Sequence, residues 1–124
     1  MNIKKPRIFV CDDDPGILEV VKIILEENNY DVITASTGKG IQKKLIKSKP
    51  NLLLLDLWMP GIEGTEITKI LKRDAATKNI PVIIISALND TKKITKDIGA
   101  DGFLPKPFAI SDLLTIIDKN LKKH

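Results

Sequence analysis

Residues 52–61 read LLLLDLWMPG, and this stretch decides the fold class. The four consecutive leucines, Leu52 to Leu55, form an apolar run that is typical of a strand buried on both faces and far too short to span a membrane. A carboxylate, Asp56, follows them directly, and Pro60 and Gly61 then predict a turn. The stretch therefore predicts a central strand of a parallel sheet with an acid at its carboxyl end.

Similar short runs occur on both sides of this stretch, separated by segments in which apolar residues have helical spacing. The predicted strands are Arg7–Cys11, Asp31–Thr34, Leu52–Asp56, Pro81–Ser86 and Gly102–Leu104. The predicted helices are Pro15–Asn28, Gly38–Lys47, Glu63–Arg73, Asp90–Ile98 and a last one from Ile110 to Leu121. Parallel neighbours need crossover connections, and helices must cover both faces of the sheet. We therefore expect an α/β fold, a three-layer doubly wound sandwich around a five-stranded parallel sheet.

The chain has 124 residues, with 43% hydrophobic and 29% charged residues, which is ordinary for one globular domain. Its amino terminus has no apolar signal segment, so we expect a cytoplasmic protein without a membrane span. The single cysteine, Cys11, lies in an apolar run and is interpreted as a buried strand residue. Nothing after Lys119 resembles a linker, and the expectation is a stand-alone domain over residues 1–124.

The net charge of +4 raises the question of a nucleic-acid partner. Lysines cluster on the second predicted helix and at the end of the chain, but no aromatic residues are interleaved with them for base stacking. We therefore expect no direct binding of nucleic acid. Two interpretations stay open for the cluster on the helix, a solvated face or a surface for an acidic partner. The clustered residues are Lys39, Lys43, Lys44, Lys47, Lys49, Lys119, Lys122 and Lys123.

Polar residues follow four of the predicted strands at the end where ligands bind in open parallel sheets. They are Asp12 and Asp13, Asp56, Ser86 and Lys106. Carboxylates in close proximity repel one another unless a cation lies between them. Hard oxygen ligands without a set of His or Cys favour Mg2+, with Mn2+ as the other candidate. Asp14 precedes Pro15 and is interpreted as a helix cap.

Asp56 is harder to explain structurally, because a charge after four leucines loses its hydration unless it is paired. Lys106, between Pro105 and Pro107, is a candidate partner for this carboxylate or a clamp for a phosphate group. A plain structural ion pair is the alternative.

Four motifs together resemble receiver domains of response regulators in two-component signalling. They are Val10-Cys11-Asp12-Asp13-Asp14-Pro15, Leu55-Asp56-Leu57-Trp58-Met59-Pro60-Gly61, Ile85-Ser86-Ala87 and Phe103-Leu104-Pro105-Lys106-Pro107-Phe108. The resemblance covers nearly the whole chain and implies a flavodoxin-like strand order, 2-1-3-4-5. It also implies a signalling module that catalyses only its own aspartyl phosphorylation and dephosphorylation.

The resemblance implies that Asp56 accepts a phosphoryl group from a histidine kinase or phosphotransfer protein. The implied Mg2+ ligands are Asp12, Asp13, Asp56 and the carbonyl of Trp58, with Asp13 favoured over Asp12 as a direct ligand. Lys106 and Ser86 would bind the phosphoryl oxygens, and the Lys106–Pro107 bond would be cis. Phe103 would act with Ser86 as a switch that alters the surface around residues 90–98 for a downstream protein target. An ordinary core aromatic is the other interpretation of Phe103.

Three positions depart from what many family members have. Glu63 stands where Asp is frequent, which concerns only the start of the next helix. Trp58 and Leu88 are bulky and apolar beside the phosphoryl site, and our hypothesis is that they hinder water and slow dephosphorylation. A sterically neutral role is the alternative.

Three alternative functions share part of this pattern. An aspartate-based phosphatase of the haloacid dehalogenase type requires a second Asp two residues after the nucleophile, where this chain has Trp58. A phosphate-independent docking module does not require the full set of acids with Ser86 and Lys106. The third option is a fragment of a longer regulator with a DNA-binding or enzymatic output domain.

Overall fold

The computed structural model describes residues 5–58, 64–87 and 99–122. Five parallel strands form one sheet in the order β2-β1-β3-β4-β5. The strands are β1 (Arg7–Cys11), β2 (Asp31–Ala35), β3 (Leu52–Asp56), β4 (Val82–Ser86) and β5 (Gly102–Pro105). The predicted parallel sheet and its strand order are therefore confirmed.

Four helices lie in the described part of the chain: α1 (Pro15–Glu27), α2 (Ile41–Ser48), α3 (Gly64–Arg73) and α4 (Ile110–Lys122). The helix predicted over Asp90–Ile98 lies outside the described residues, as do Glu63, Leu88 and the Met59-Pro60-Gly61 turn. Among the described helices, none is long and apolar enough to cross a membrane.

Two hydrophobic cores cover the two faces of the sheet. Buried residues of α2 and α3, such as Leu45 and Ile67, pack on one face. Buried residues of α1 and α4, such as Leu25 and Leu113, pack on the other. Strand β3 contributes to both, because Leu53 and Leu55 belong to the first core and Leu52 and Leu54 to the second. The molecule is thus the expected three-layer sandwich.

The boundaries of α1 and α2 differ from the prediction for reasons of backbone conformation. Helix α2 begins at Ile41 and not at Gly38, because Gly40 has a φ of 70° and acts as the N-cap. Helix α1 ends at Glu27, one residue early, since Asn28 is the C-cap and Asn29 has a φ of 68°. A residue in a left-handed conformation lies outside the helix beside it, at either end, and periodicity alone does not reveal such residues.

Three strands differ from the prediction by one residue. Strand β2 extends to Ala35, which pairs with Cys11, and β5 extends to Pro105, which pairs with Ser86. Proline is tolerated there because β5 is an edge strand. Strand β4 begins at Val82 and not at Pro81. Helix α4 begins at Ile110, as predicted, and extends one residue past Leu121.

Candidate functional site

Two buried acids stand at the carboxyl ends of adjacent strands. Asp56 is the last residue of β3, and Asp12 follows β1, where its amide continues the ladder by donating to the carbonyl of Ala35 at 3.1 Å. The strands are in register, with Cys11 beside Leu55. Side chains alternate between the two faces of a strand. Because Cys11 and Leu55 are paired, the next residues, Asp12 and Asp56, lie side by side.

Asp13 completes a cluster of three carboxylates. One oxygen from each of Asp12, Asp13 and Asp56 lies within 4.8 Å of the others. Asp12 is fully buried and Asp56 is 6% exposed, whereas Asp13 is exposed. Like charges this close repel strongly in a partly dehydrated site. The cluster therefore requires a cation for all three acids to be ionised together.

The environment of Asp56 opposes its ionisation. Burial, and next the negative charge of Asp12, raise the pKa of Asp56 to about 6. Lys106 and the amide of Trp58 lower this pKa, but they offset only part of the increase. Near neutral pH the Asp56 carboxyl group is therefore mostly ionised, at an energetic cost.

Lys106 is the cation that the protein itself supplies. Its Nζ donates to Oδ2 of Asp12 at 2.9 Å and lies 3.8 Å from Oδ1 of Asp56. Lys106 is therefore an ion-pair partner of Asp56, as predicted, but its hydrogen bond is with Asp12. Strand pairing positions the lysine, since its amide donates to the carbonyl of Ser86 at 2.9 Å. The Lys106–Pro107 bond is cis, as the resemblance implied.

The remaining candidate residues, Ser86, Trp58 and Phe103, lie on or directly after strands β4, β3 and β5. Ser86 ends β4 and is 2% exposed, and its neighbour Ile85 pairs with Asp56. The Trp58 amide donates to Oδ1 of Asp56 at 3.4 Å, and the Trp58 side chain is 50% exposed. Phe103 is half-buried in β5, opposite Ile84 of β4.

Asp14 has the capping role that the sequence predicted. Its Oδ1 accepts hydrogen bonds from the amides of Gly16 at 2.9 Å and Ile17 at 3.3 Å. Its own amide donates to Oδ1 of Asp12 at 3.0 Å. The cap therefore joins the start of α1 to the acidic cluster.

Gly64 is a site residue that the sequence analysis missed. A Cβ atom at this position would lie 2.8 Å from the carbonyl oxygen of Asp56 and 2.9 Å from Cα of Leu57. The first residue of α3 thus packs directly against the backbone that carries Asp56. A glycine in the first turn of a predicted helix, soon after a functional strand, was the available signal.

The donor set of the cluster fits a divalent cation. Asp12, Asp13 and Asp56 together with Lys106 carry a net charge of −2 when all are ionised. The oxygens are hard ligands, and Cys11 is engaged elsewhere, because its Sγ donates to the carbonyl of Thr37 at 3.4 Å. Mg2+ and Mn2+ prefer such oxygens, whereas zinc prefers nitrogen and sulfur ligands. The site therefore matches a Mg2+ centre in both charge and chemistry.

Comparison with known proteins connects this geometry to a family. The family profile described as the response regulator receiver domain matches residues 8–118. The chain belongs to this family. Receiver domains are signalling modules of two-component systems and not turnover enzymes, and aspartyl phosphorylation and Mg2+ binding are typical of them.

Two curated relatives of this receiver domain are named as transcriptional regulators. The DNA-binding dual master transcriptional regulator RpaA of Synechocystis is 37% identical over 95% of the chain and 50% of its own length. The phosphate regulon transcriptional regulatory protein PhoB of Pseudomonas aeruginosa is 32% identical over 94% of the chain and 52% of its own length. The chain spans about half the length of the curated relatives it matches.

Solved structures similar to this receiver domain match it along nearly their full length. A putative response regulator from Chloroflexus aurantiacus has a TM-score of 0.91 at 27% identity, covering 96% of this chain and 99% of its own. The response regulator TrrA of Thermotoga maritima, crystallised with Mg(2+)-BeF, has a TM-score of 0.84 at 30% identity, covering 93% and 98%. The whole sandwich, and not only the acidic edge, is therefore shared.

Proposed function

We propose that Asp56 of this receiver domain accepts a phosphoryl group from a histidine kinase or a phosphotransfer protein in a Mg2+-dependent reaction. The observation that carries the proposal is the cluster of three carboxylates within 4.8 Å, with Lys106 2.9 Å from Asp12 and 3.8 Å from Asp56. Such a cluster destabilises the folded domain, and unfavourable arrangements of this kind are typical of functional sites. Phosphoryl transfer is a function that requires closely placed acids, a metal ion and a lysine.

The chemical step requires an ionised nucleophile and a loose transition state. An Asp56 oxygen forms a bond to phosphorus while the bond from phosphorus to the donor histidine nitrogen breaks, and the electron pair leaves with the nitrogen. A pKa of about 6 keeps most Asp56 ionised at neutral pH. The transferred group carries charge on its equatorial oxygens, so catalysis depends on positioning and charge neutralisation.

Asp12, Asp13, Asp56 and the carbonyl of Trp58 would hold the metal ion. Asp13 is the stronger candidate for direct ligation, because it is exposed whereas Asp12 is buried and paired with Lys106. When bound, Mg2+, or Mn2+ in its place, supplies positive charge for the oxygens of the phosphoryl group.

Lys106 and Ser86 would bind the phosphoryl oxygens. Nζ of Lys106 lies 3.8 Å from Oδ1 of Asp56. A small shift of the ammonium group toward Asp56 would bring it within hydrogen-bonding distance. Ser86 ends the strand next to β3, and its movement toward the phosphoryl group would couple to Phe103, which is half-buried on the edge strand. This pair would form the switch that alters the surface for a downstream protein target.

The proposal treats residues 1–124 as one receiver domain that acts in the cytoplasm. Within it we propose no direct contact with nucleic acid, since the lysine clusters contain no aromatic residues for stacking. RpaA is a DNA-binding regulator by name, but this chain spans only half the length of that protein. A DNA-binding output would therefore reside outside the segment that is shared.

The test is mass spectrometry after treatment with acetyl phosphate and Mg2+. We expect a single phosphate adduct on the natural chain and on the control Asp118→Asn, which alters an exposed acid of α4. The adduct should be missing from Asp56→Asn and should require the metal. An adduct that persists in Asp56→Asn, or no adduct on the natural chain, would overturn the proposal.

Trp58 adds a hypothesis about the lifetime of the phosphate. Its half-exposed indole ring stands two residues after Asp56, where it can exclude the attacking water. We expect Trp58→Asn to shorten the half-life of the phosphorylated domain several-fold, as measured by loss of the adduct over time. Ile46→Asn, a change at an exposed apolar residue of α2, is the control. An unchanged half-life in Trp58→Asn would refute the hypothesis.

A further inference from the structure

The positive charge of the chain is concentrated in one segment. Residues 38–51, here called the basic segment, contain five lysines and no Asp or Glu. The net charge of the whole chain is +4, so the remaining residues together carry about −1. Five positive charges without a negative one create a positive local potential, which attracts acidic groups.

The lysines of the basic segment are available to a partner. All five are exposed, and none of them forms a salt bridge within the described part of the chain. Four cations elsewhere in the described chain do form salt bridges, among them Lys72 with Asp101 at 2.7 Å and Arg7 with Asp31 at 2.8 Å. The unpaired lysines are Lys39, Lys43, Lys44, Lys47 and Lys49.

A groove of about 450 Å³ lies between α2 and α3 beside these lysines. Lys39 and Lys43 are among its lining residues, together with Ile70 of α3, which is half-buried, and Ile67 and Leu71, which are each 1% exposed. The two helices are joined at this place, because the Gln42 side chain donates to the carboxylate of Asp74. The groove is therefore a preformed feature with an apolar wall and a basic rim.

The groove is separate from the carboxylate cluster. None of its lining residues belongs to that cluster. Helices α2 and α3 also pack on the opposite face of the sheet from α1 and α4. Binding in the groove thus does not require the chemistry proposed for Asp56.

We propose that the groove between α2 and α3 docks an acidic, amphipathic segment of a partner protein. Carboxylates of such a segment would pair with Lys39 and Lys43, and its apolar side chains would contact the wall formed by α3. Charge complementarity argues for an acidic partner, and the apolar wall argues for a protein. Among the described residues that line the groove, none is an aromatic residue on which a base of a nucleic acid would stack.

The test measures binding of a fluorescein-labelled peptide made of Glu-Leu-Glu-Glu-Leu repeats by fluorescence anisotropy. Lys39→Gln/Lys43→Gln should weaken binding about fivefold to tenfold, because each exposed ion pair contributes modestly. The matched control Lys22→Gln/Lys119→Gln removes the same charge from exposed positions of α1 and α4 and should bind as the natural chain does. Ile70→Ala should also weaken binding, through the apolar wall. Circular dichroism verifies that each variant is folded.

Two further probes identify what is recognised. The same peptide with Gln in place of Glu, or with Ser in place of Leu, should bind several-fold more weakly. Amide resonances of residues 38–51 and 67–71 should shift when the peptide is added to the natural chain or to Asp56→Asn. Acetyl phosphate labelling of Asp56 should be equal in Lys39→Gln/Lys43→Gln and the natural chain, which separates this proposal from the proposed phosphorylation.

Three results would overturn the proposal. The first is an equal loss of binding in Lys22→Gln/Lys119→Gln, which would show a dependence on net charge alone. The second is tighter binding of duplex DNA or of phosphatidylglycerol vesicles through the same lysines. The third is a set of shifted resonances that excludes the basic segment.

Discussion

At the scale of single residues, Asp56 is held where its charge is unfavourable. It is 6% exposed, its nearest acid Asp12 is fully buried, and its pKa is raised to about 6 from 3.8. A folded state with a raised carboxyl pKa binds protons more tightly than the unfolded chain. The free energy of unfolding therefore decreases, through Asp56, as the pH rises from about 4 to about 6, and the full penalty applies above pH 6.

We predict that Asp56→Asn stabilises the metal-free domain at pH 7.5 by about 2 kcal/mol, since one pKa unit corresponds to about 1.4 kcal/mol and solvent screening reduces the full value. The gain should diminish as the pH falls through 6 and vanish below about 3, where Asp56 is protonated in both the folded and the unfolded state. Urea unfolding across this pH range measures the effect. Asp118→Asn serves as the control, and a gain in Asp56→Asn that is independent of pH would contradict the assigned cause.

The acids and the lysine of the site were predictable from the sequence, but their pairing was not. A charged residue after four leucines requires a partner, and strand ends of a parallel sheet meet at one edge. The choice between Asp12 and Asp56 as the partner of Lys106 depends on distances of 2.9 and 3.8 Å, which only the folded backbone determines. The role of Gly64 was not predictable either, because only the folded structure shows that a side chain there would meet the backbone of Asp56 and Leu57.

At the scale of elements, the start of α1 depends on one side chain. Asp14 accepts from the amides of Gly16 and Ile17, which otherwise have no partner within the helix. We predict that Asp14→Ala lowers the free energy of unfolding by about 1 kcal/mol, measured by urea denaturation. Glu19→Ala, at an exposed position of the same helix, should change it by a few tenths at most. Equal losses in both variants would show that the cap is not the cause.

The start of α3 is set by contact with β3. We predict that Gly64→Ala destabilises the domain by about 2 kcal/mol, because the added Cβ meets backbone atoms that cannot rotate away. The rate of acetyl phosphate labelling should fall as well, since the displaced carbonyl belongs to Asp56. Gly40→Ala is an informative comparison: a Cβ there meets nothing within 4 Å, so only the cost of its positive φ remains and labelling should be unaffected. A normal labelling rate in Gly64→Ala would refute the coupling.

Element types were more predictable from the sequence than element ends. Runs such as Leu52–Leu55 identify strands because burial on both faces leaves no polar alternation. Helix α2 started three residues late because Gly40 adopts a left-handed conformation, which hydrophobic spacing does not report. The backbone conformation at Gly40 thus set a helix start that the hydrophobic spacing did not predict.

At the scale of the whole molecule, the acidic cluster exists only when distant segments are folded together. Asp12 and Asp13 follow the first strand and Asp56 ends the third. A ligand that binds only the folded state stabilises the entire domain. Metal binding and global stability are therefore linked.

We predict that Mg2+ raises the free energy of unfolding by about 2.7 kcal/mol when its concentration is about a hundred times its dissociation constant. Asp13→Asn should remove most of this gain with little effect on the metal-free domain, because Asp13 is exposed. Asp118→Asn should keep the full gain. An equal response of Asp13→Asn to Mg2+ would exclude Asp13 from the metal site.

Trp58 is the only tryptophan of the chain, and its amide contacts the carboxylate proposed to receive the phosphoryl group. The protein thus carries its single tryptophan at the place where its charge is expected to change. Emission at this ring would time the arrival of the ion and of the phosphoryl group in a stopped-flow instrument, without any attached dye.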